Sequence, residues 1–434
     1  MKSILTSIAA GSLLVTLMIA QHANAQPSPR YTLTDLNPKG APFSFGGFVN
    51  SYGLVAGAYG ATGGAQHAAV WNNGLMFDIS QPGLAGTNSL ACCVNELGQV
   101  LMQGETTKDP NNENFCGYAD GLICVAYLWQ YGTITQLPTL GGSNAGYGGI
   151  NNVGQVAGWA EKNTRDLGCS MISAVNGTGP QILDFEAVIW GPGPGQIRQL
   201  APLPGDTVGL ALWINDFGQA VGISGSCGNT ILPGFTAGPH AVVWESDGSV
   251  HDLGDLGGTV NPAMLAVGNG ALGINNRGQI TGVSALKGNT TFHPFLWTRE
   301  DGMRDLGVLP GDLVGAGLAI NKKGEIVGAS ISAPGPASGN PRAFLWRNGV
   351  MNDLNDLVQP NAPLYLLQAF SINDAGEIAG IGATSAGDVH AFLATPIQGG
   401  AESAASESRR AIDPPVLGES ARKLLFGWRG IRGQ

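Results

Sequence analysis

Four aspartates in loop-like stretches, Asp109, Asp120, Asp166 and Asp206, are the residues of this chain with the types to bind a ligand or do acid–base work. Two such carboxylates brought together act as general acid and base on a glycosidic bond, the chemistry of an extracellular glycan hydrolase or lyase. Asp109-Pro110-Asn111-Asn112-Glu113 also alternates oxygen ligands in the manner of a calcium loop. It lacks the central glycine and distal glutamate of such a loop, so it reads as a solvated loop. Asp206 and Asp312 each end a Leu-Pro-Gly-Asp turn, where turn capping accounts for the side chain. No serine-nucleophile elbow, zincin or phosphate-loop pattern occurs, so no catalytic residue is assigned.

The six cysteines lack the spacing of a zinc or redox motif. Cys116 and Cys124, with seven residues between them, are the favoured disulfide pair, and Cys169 and Cys227 stand in long loops that a bridge would join. The adjacent Cys92 and Cys93 fit a bridge or two buried thiols equally. His67, His240, His293 and His390 hold equivalent positions in a repeat, which keeps them apart, and His251 stands alone. Neither set is read as a metal site, and no cofactor is expected.

The repeat positions all of these. Asn50, Asn95, Asn151, Asn215, Asn275, Asn321 and Asn373 each precede a glycine by three residues, Gly53 to Gly376. Asn then Gly at that spacing is a tight turn, with the glycine free to take positive φ, and small or apolar residues flank it as a hairpin. A continuous apolar run follows, ending in tryptophan at Trp71, Trp129, Trp190, Trp244, Trp297 and Trp346. Such a run marks a strand covered on both faces. A Gly turn and a pattern such as Asp252-Leu253 or Asp305-Leu306 complete four strands per unit.

Seven units need seven fourth strands, yet only six follow the tryptophan strands. The seventh stands at the front, Tyr31 to Leu36. An N-terminal strand that completes the last sheet closes a ring and removes its open edge. The expected fold is all-β, a seven-bladed β-propeller of four-stranded blades closed by an N-terminal strand pairing with the last blade. An open solenoid has no use for that strand.

These landmarks resemble the HAF-repeat family of extracellular bacterial proteins, whose His-Ala-Phe stretch stands at His390-Ala391-Phe392. Asp252-Leu253-Gly254 and Asp305-Leu306-Gly307 match as well. The resemblance covers residues 31 to about 395 and implies an exported repeat protein. It carries over no catalytic residues. Long insertions in units two to four and the missing tryptophan of the last unit depart from the pattern.

Residues 1–25 read as a signal peptide: Lys2, an apolar stretch from Ile4 to Ala20, then Ala23-Asn24-Ala25 as a cleavage site. Residues 26–398 are the propeller, with units starting near 49, 94, 150, 214, 274, 320 and 372. Residues 399–434 are expected to be a disordered tail, with an amphipathic docking segment as the alternative. The product is secreted or periplasmic, with no integral membrane segment after cleavage. The net charge is −10. Lys2 and the tail (six basic, four acidic residues) contribute +3, which leaves −13 on residues 26–400. That balance disfavours nucleic acid and anionic membranes as partners.

In an antiparallel meander, loops after second and fourth strands share one face of the ring. The insertions, near residues 105–125, 159–186 and 223–240, are all loops of the first kind and hold four of the six cysteines. The expectation is an exported binding scaffold for an extracellular glycan or protein, with its ligand surface there. A glycan hydrolase or lyase is the first alternative, a purely structural envelope component the second.

Overall fold

The computed structural model describes residues 30–80, 88–113, 115–116, 118, 121–165, 167–168, 182–227, 238–260, 268–332, 339–397 and 414–418. Residues 1–25, read above as a signal peptide, and most of the segment after 397 lie outside them. Seven four-stranded antiparallel sheets form a ring, a seven-bladed β-propeller. Blades 1 to 6 span residues 44–78, 89–136, 141–200, 208–252, 270–305 and 314–353. Blade 7 is Tyr365–Ile372, Ile378–Ala383 and Val389–Pro396, completed by Tyr31–Asp35. Tyr31 pairs with Pro396 and Asp35 with Phe392, so the front of the chain closes the ring.

Each repeat landmark has a contact that explains it. Seven asparagine side chains, all buried, link the blades head to tail. Every Nδ2 donates to the backbone carbonyl of the asparagine one blade on, at 2.8–3.2 Å, from Asn50→Asn95 round to Asn373→Asn50. The side-chain oxygen caps its own turn; Asn215 Oδ1 accepts from the amides of Phe217 and Gln219. Gly218, at φ +76°, makes that turn possible.

The second-strand glycines answer a different need. A Cβ at Gly222 would lie 1.8 Å from the Leu210 carbonyl, and one at Gly328 would lie 1.9 Å from that of Ala316. First and second strands are bulged there and leave no room for a side chain. Three of the tryptophans staple blade to blade: Trp71, Trp190 and Trp244 donate Nε1 to the carbonyls of Leu36, Pro138 and Ala201 in the preceding blade. Phe48 and Trp213 come from the innermost strands of blades 1 and 4, which are not neighbours. Their rings stack at 4.4 Å, an apolar contact across the axis.

Candidate functional site

The insertions of blades 2, 3 and 4 leave the ring on the face opposite the asparagine turns, and their bases share one apolar cluster. Phe115 and Cys124 of blade 2, Trp159 and Phe185 of blade 3, and Val208, Leu210 and Cys227 of blade 4 pack together. The Trp159 ring lies 4.8 Å from Phe115 and 5.8 Å from Phe185. Gly146 admits that indole, since a Cβ there would meet Trp159 Nε1 at 2.3 Å. Tyr118 Oη accepts from Gln66 Nε2 of blade 1 at 2.8 Å, which ties the blade 2 insertion to its other neighbour.

Beside this cluster three carboxyls are gathered out of water. Asp109, Glu113 and Glu161 are 2%, 0% and 0% exposed. The two carboxylates of the Asp109–Glu113 segment are therefore buried, while Pro110 and Asn112 between them are exposed, as the composition suggests. Asp109 Oδ1 accepts from the amides of Asn111 and Glu113 and closes the turn on itself. Its Oδ2 accepts from Asn144 Nδ2 at 3.0 Å, and the same amide donates to Glu161 Oε2 at 3.2 Å. Asn144 Oδ1 in turn accepts from the Cys124 amide. Glu161 Oε2 takes two further bonds, from the amides of Ser143 and Asn144. Glu113 reaches the next insertion: its Oε1 accepts from the amides of Ile182 and Leu183, where the blade 3 insertion re-enters the sheet.

Crowding and burial set the protonation. Exclusion from water, and then the charge of Glu113, push the Glu161 carboxyl up to about 8. Burial raises Glu113 as well, against the bonds it accepts from Ile182, Leu183 and Asn111. At neutral pH Glu161 is mainly the neutral acid. Nearby, Lys162 Nζ bridges Asp184 at 3.0 Å and Glu186 at 3.1 Å. Burial lifts Glu186 to about 6 even so.

A neutral acid beside a second carboxyl has the protonation that general acid catalysis needs. All three carboxyls are closed to solvent, however, and most of their oxygens hold loop backbone or Asn144. In this state the arrangement is a clamp on the feet of the insertions.

The other sequence-derived residues fall as follows. Asp206 sits in a separate turn before blade 4, its Oδ2 accepting from Ser224 Oγ at 2.6 Å. Asp120, Asp166 and Cys169 lie outside the described residues. Cys116 and Cys124 are bridged, Cys227 is also disulfide-bonded, and Cys92 is bridged to Cys93. His67, His240, His293 and His390 each bond the aspartate of the adjacent outer strand: Asp78, Asp252, Asp305 and Asp35, at 2.8–3.0 Å. No group of three or more metal-ligating side chains occurs among the described residues.

Sequence inspection missed Asn144 and Glu161, and placed Glu113 only in a solvated loop. One signal was available: the sixth position of the second strand is Gly60, Gly225, Ala285, Ile331 and Ala383 in five blades, but Glu105 and Glu161 in blades 2 and 3. Both glutamates pair with an asparagine at the entry of the first strand, Asn88 or Asn144.

A cleft of ≈ 400 Å³ lies elsewhere, on the asparagine-turn face between blades 4 and 5, lined by Gln219, Glu245, Asn276, Arg277, Trp297 and Arg299 among others. Gln219 Nε2 and Arg299 both bind Glu245, so much of its polarity is internally matched. The clamp and the insertions it holds are the better-built feature.

No protein-family model and no curated protein matches the chain at a significant level. Among solved structures, Porphyromonas gingivalis dipeptidyl peptidase 4 is similar over 79% of this chain, at 12% identity and a TM-score of 0.37. The chain spans about half of that peptidase, 51%. AofleA from Arthrobotrys oligospora matches over 75% of this chain and 86% of its own, at 12% identity and a TM-score of 0.34. Trypanosoma rangeli sialidase matches over 86% and 60%, at 9% identity and a TM-score of 0.40. Likeness at this level says nothing about activity. Among the described residues no helix is long and apolar enough to cross a membrane.

Proposed function

We propose that this chain is an exported propeller of the HAF-repeat kind that serves as a binding scaffold, with the insertion face of blades 2 to 4 as its ligand surface. One observation carries the reading. The feet of three separate insertions share an apolar cluster, and two of them also share the buried Asp109–Asn144–Glu161–Glu113 clamp. Loops anchored together at their base present one surface, and rigidly supported loops are where scaffolds carry recognition. The net charge of −13 on residues 26–400 favours a glycan or protein partner over nucleic acid.

Hydrolysis of an extracellular glycan is the second reading, and the raised Glu161 carboxyl is what favours it. It requires the insertions to open, because a fully buried carboxyl does not reach a glycosidic oxygen.

The test is a glycan and protein binding screen of the mature chain beside a form with the three insertions shortened. The expected result is a ligand that the shortened form loses. Undiminished binding by the shortened form sinks the proposal. Turnover of a bound glycan, abolished by Glu161→Gln, would favour the second reading.

A further inference from the structure

Five residues of the C-terminal segment, 414–418, lie against the insertion face of blades 6 and 7, away from the surface proposed above. Leu417, 4% exposed, packs with Tyr365, Leu367, Ile381, Ala383 and Val389, all of blade 7. Asn340 of blade 6 donates Nδ2 to the Pro415 carbonyl at 2.6 Å. Gly387, in the turn between the second and third strands of blade 7, has φ +89°. A Cβ there would stand 2.5 Å from the Val416 carbonyl, so its bare backbone lets the segment pass. Val416 points outward, 84% exposed.

This is the pattern by which a groove reads an extended peptide. One side chain fills an apolar pocket, its neighbour faces solvent, and an amide holds a backbone carbonyl. Pro414 and Pro415 restrict the segment to extended geometry, which lowers the entropy lost on docking. Without the segment, Tyr365, Val389 and their neighbours would form an uncovered apolar patch, and such patches mark interaction sites.

We propose that this pocket is a binding site for extended Pro-Val-Leu peptides, and that residues 414–418 fill it in cis as a built-in competitor. Sixteen residues separate Ile397 from Pro414. A tether of that length supplies an effective concentration on the order of millimolar. An outside peptide of intrinsic Kd between about 10 and 100 μM would be weakened roughly 10- to 100-fold by such a competitor.

The test is fluorescence anisotropy of a labelled peptide covering residues 412–420, titrated with the full mature chain, wild type and Leu417→Asp. Leu417→Asp is expected to bind the peptide saturably and at least about tenfold more tightly than wild type. A probe carrying the same Leu→Asp change should not bind, and adding Asn340→Ala should weaken binding severalfold. Absence of saturable binding to a Leu417→Asp chain that melts like wild type overturns the proposal, as does equal affinity of the two chains. Hydrogen exchange on the wild-type chain needs no variant. Protection of the amide of the buried Leu417 is expected, and exchange there at the unstructured rate would contradict docking.

Discussion

The side-chain amide of Asn373 donates to the backbone carbonyl of Asn50 at 2.9 Å, across 323 residues of chain. It is one of seven equivalent bonds, and it is the one that turns a row of blades into a circle. Each asparagine serves two roles at once: its oxygen holds its own turn and its nitrogen holds the next blade. The amide nitrogens of Asn95, Asn151, Asn215 and Asn275 also donate to a glutamine four residues on, and those of Asn321 and Asn373 to a glutamate.

In a closed ring no blade is terminal, so the cost of losing one of these bonds should not depend on where it lies. Asn215→Ala and Asn373→Ala each leave a buried carbonyl and turn amides without their partner. Each is expected to cost roughly 2–4 kcal/mol, the two agreeing within about 1 kcal/mol. Urea unfolding of both variants checks it. A much smaller loss at Asn373 would describe an open array.

Closure also rests on the first strand. Leu33 is 6% exposed, inside the core cluster shared by blades 6 and 7, although it stands near the front of the chain. Leu33→Ala is expected to destabilise by about 2–4 kcal/mol, the range of a core truncation. A value near zero, read from the shift of the unfolding midpoint, would mean that the strand does not close the ring.

Much of this architecture is readable in the sequence, because each landmark answers a local demand. Gly222 is required by the Leu210 carbonyl, Gly218 by its positive φ, and Tyr31–Asp35 by the unpaired edge of the last blade. The clamp is not readable in the same way. Asn144 belongs to blade 3 and Asp109 to blade 2, and what they do depends on a contact between blades that no local pattern encodes. Asp109 stands among Pro and Asn residues, which reads as a wet turn, yet its carboxylate is buried and bonded to Asn144 of the next blade. The histidine roles fall between these cases: both partners of His293–Asp305 are repeat landmarks, and only the register pairs them.

The clamp makes stability depend on pH. Glu161 titrates at about 8 in the fold and near 4.3 when unfolded. Between those values the unfolded chain has released its proton and the folded chain has not. On account of this group stability is full below about pH 4, falls as pH rises from there to about 8, and is level above that. Glu161→Gln keeps the acceptor for Ser143 and Asn144 and removes the titration. At pH 9 the variant is expected to exceed wild type by up to about 5 kcal/mol, and at pH 4 to match it. Thermal melts across that range decide it, and parallel curves would contradict a raised Glu161.

The four histidine–aspartate pairs are partly exposed links between outer strands. In Asp305, burial raises the carboxyl, but the bonds from His293 and the Gly307 amide outweigh it and hold the group below its usual value. His293→Ala is expected to cost no more than about 1 kcal/mol, as is usual for exposed pairs. It should leave ligand binding unchanged. Chemical denaturation and the binding assay of the mature chain measure both.

The central claim is that recognition belongs to the insertions and not to the regular turns. Hydrogen-exchange footprinting of the mature chain with a ligand from the screen tests it most directly. The expected footprint covers residues 105–125, 159–186 and 223–240, with the asparagine turns and the cleft at Arg277 and Arg299 unchanged. Protection confined to those turns, or to that cleft, would contradict it.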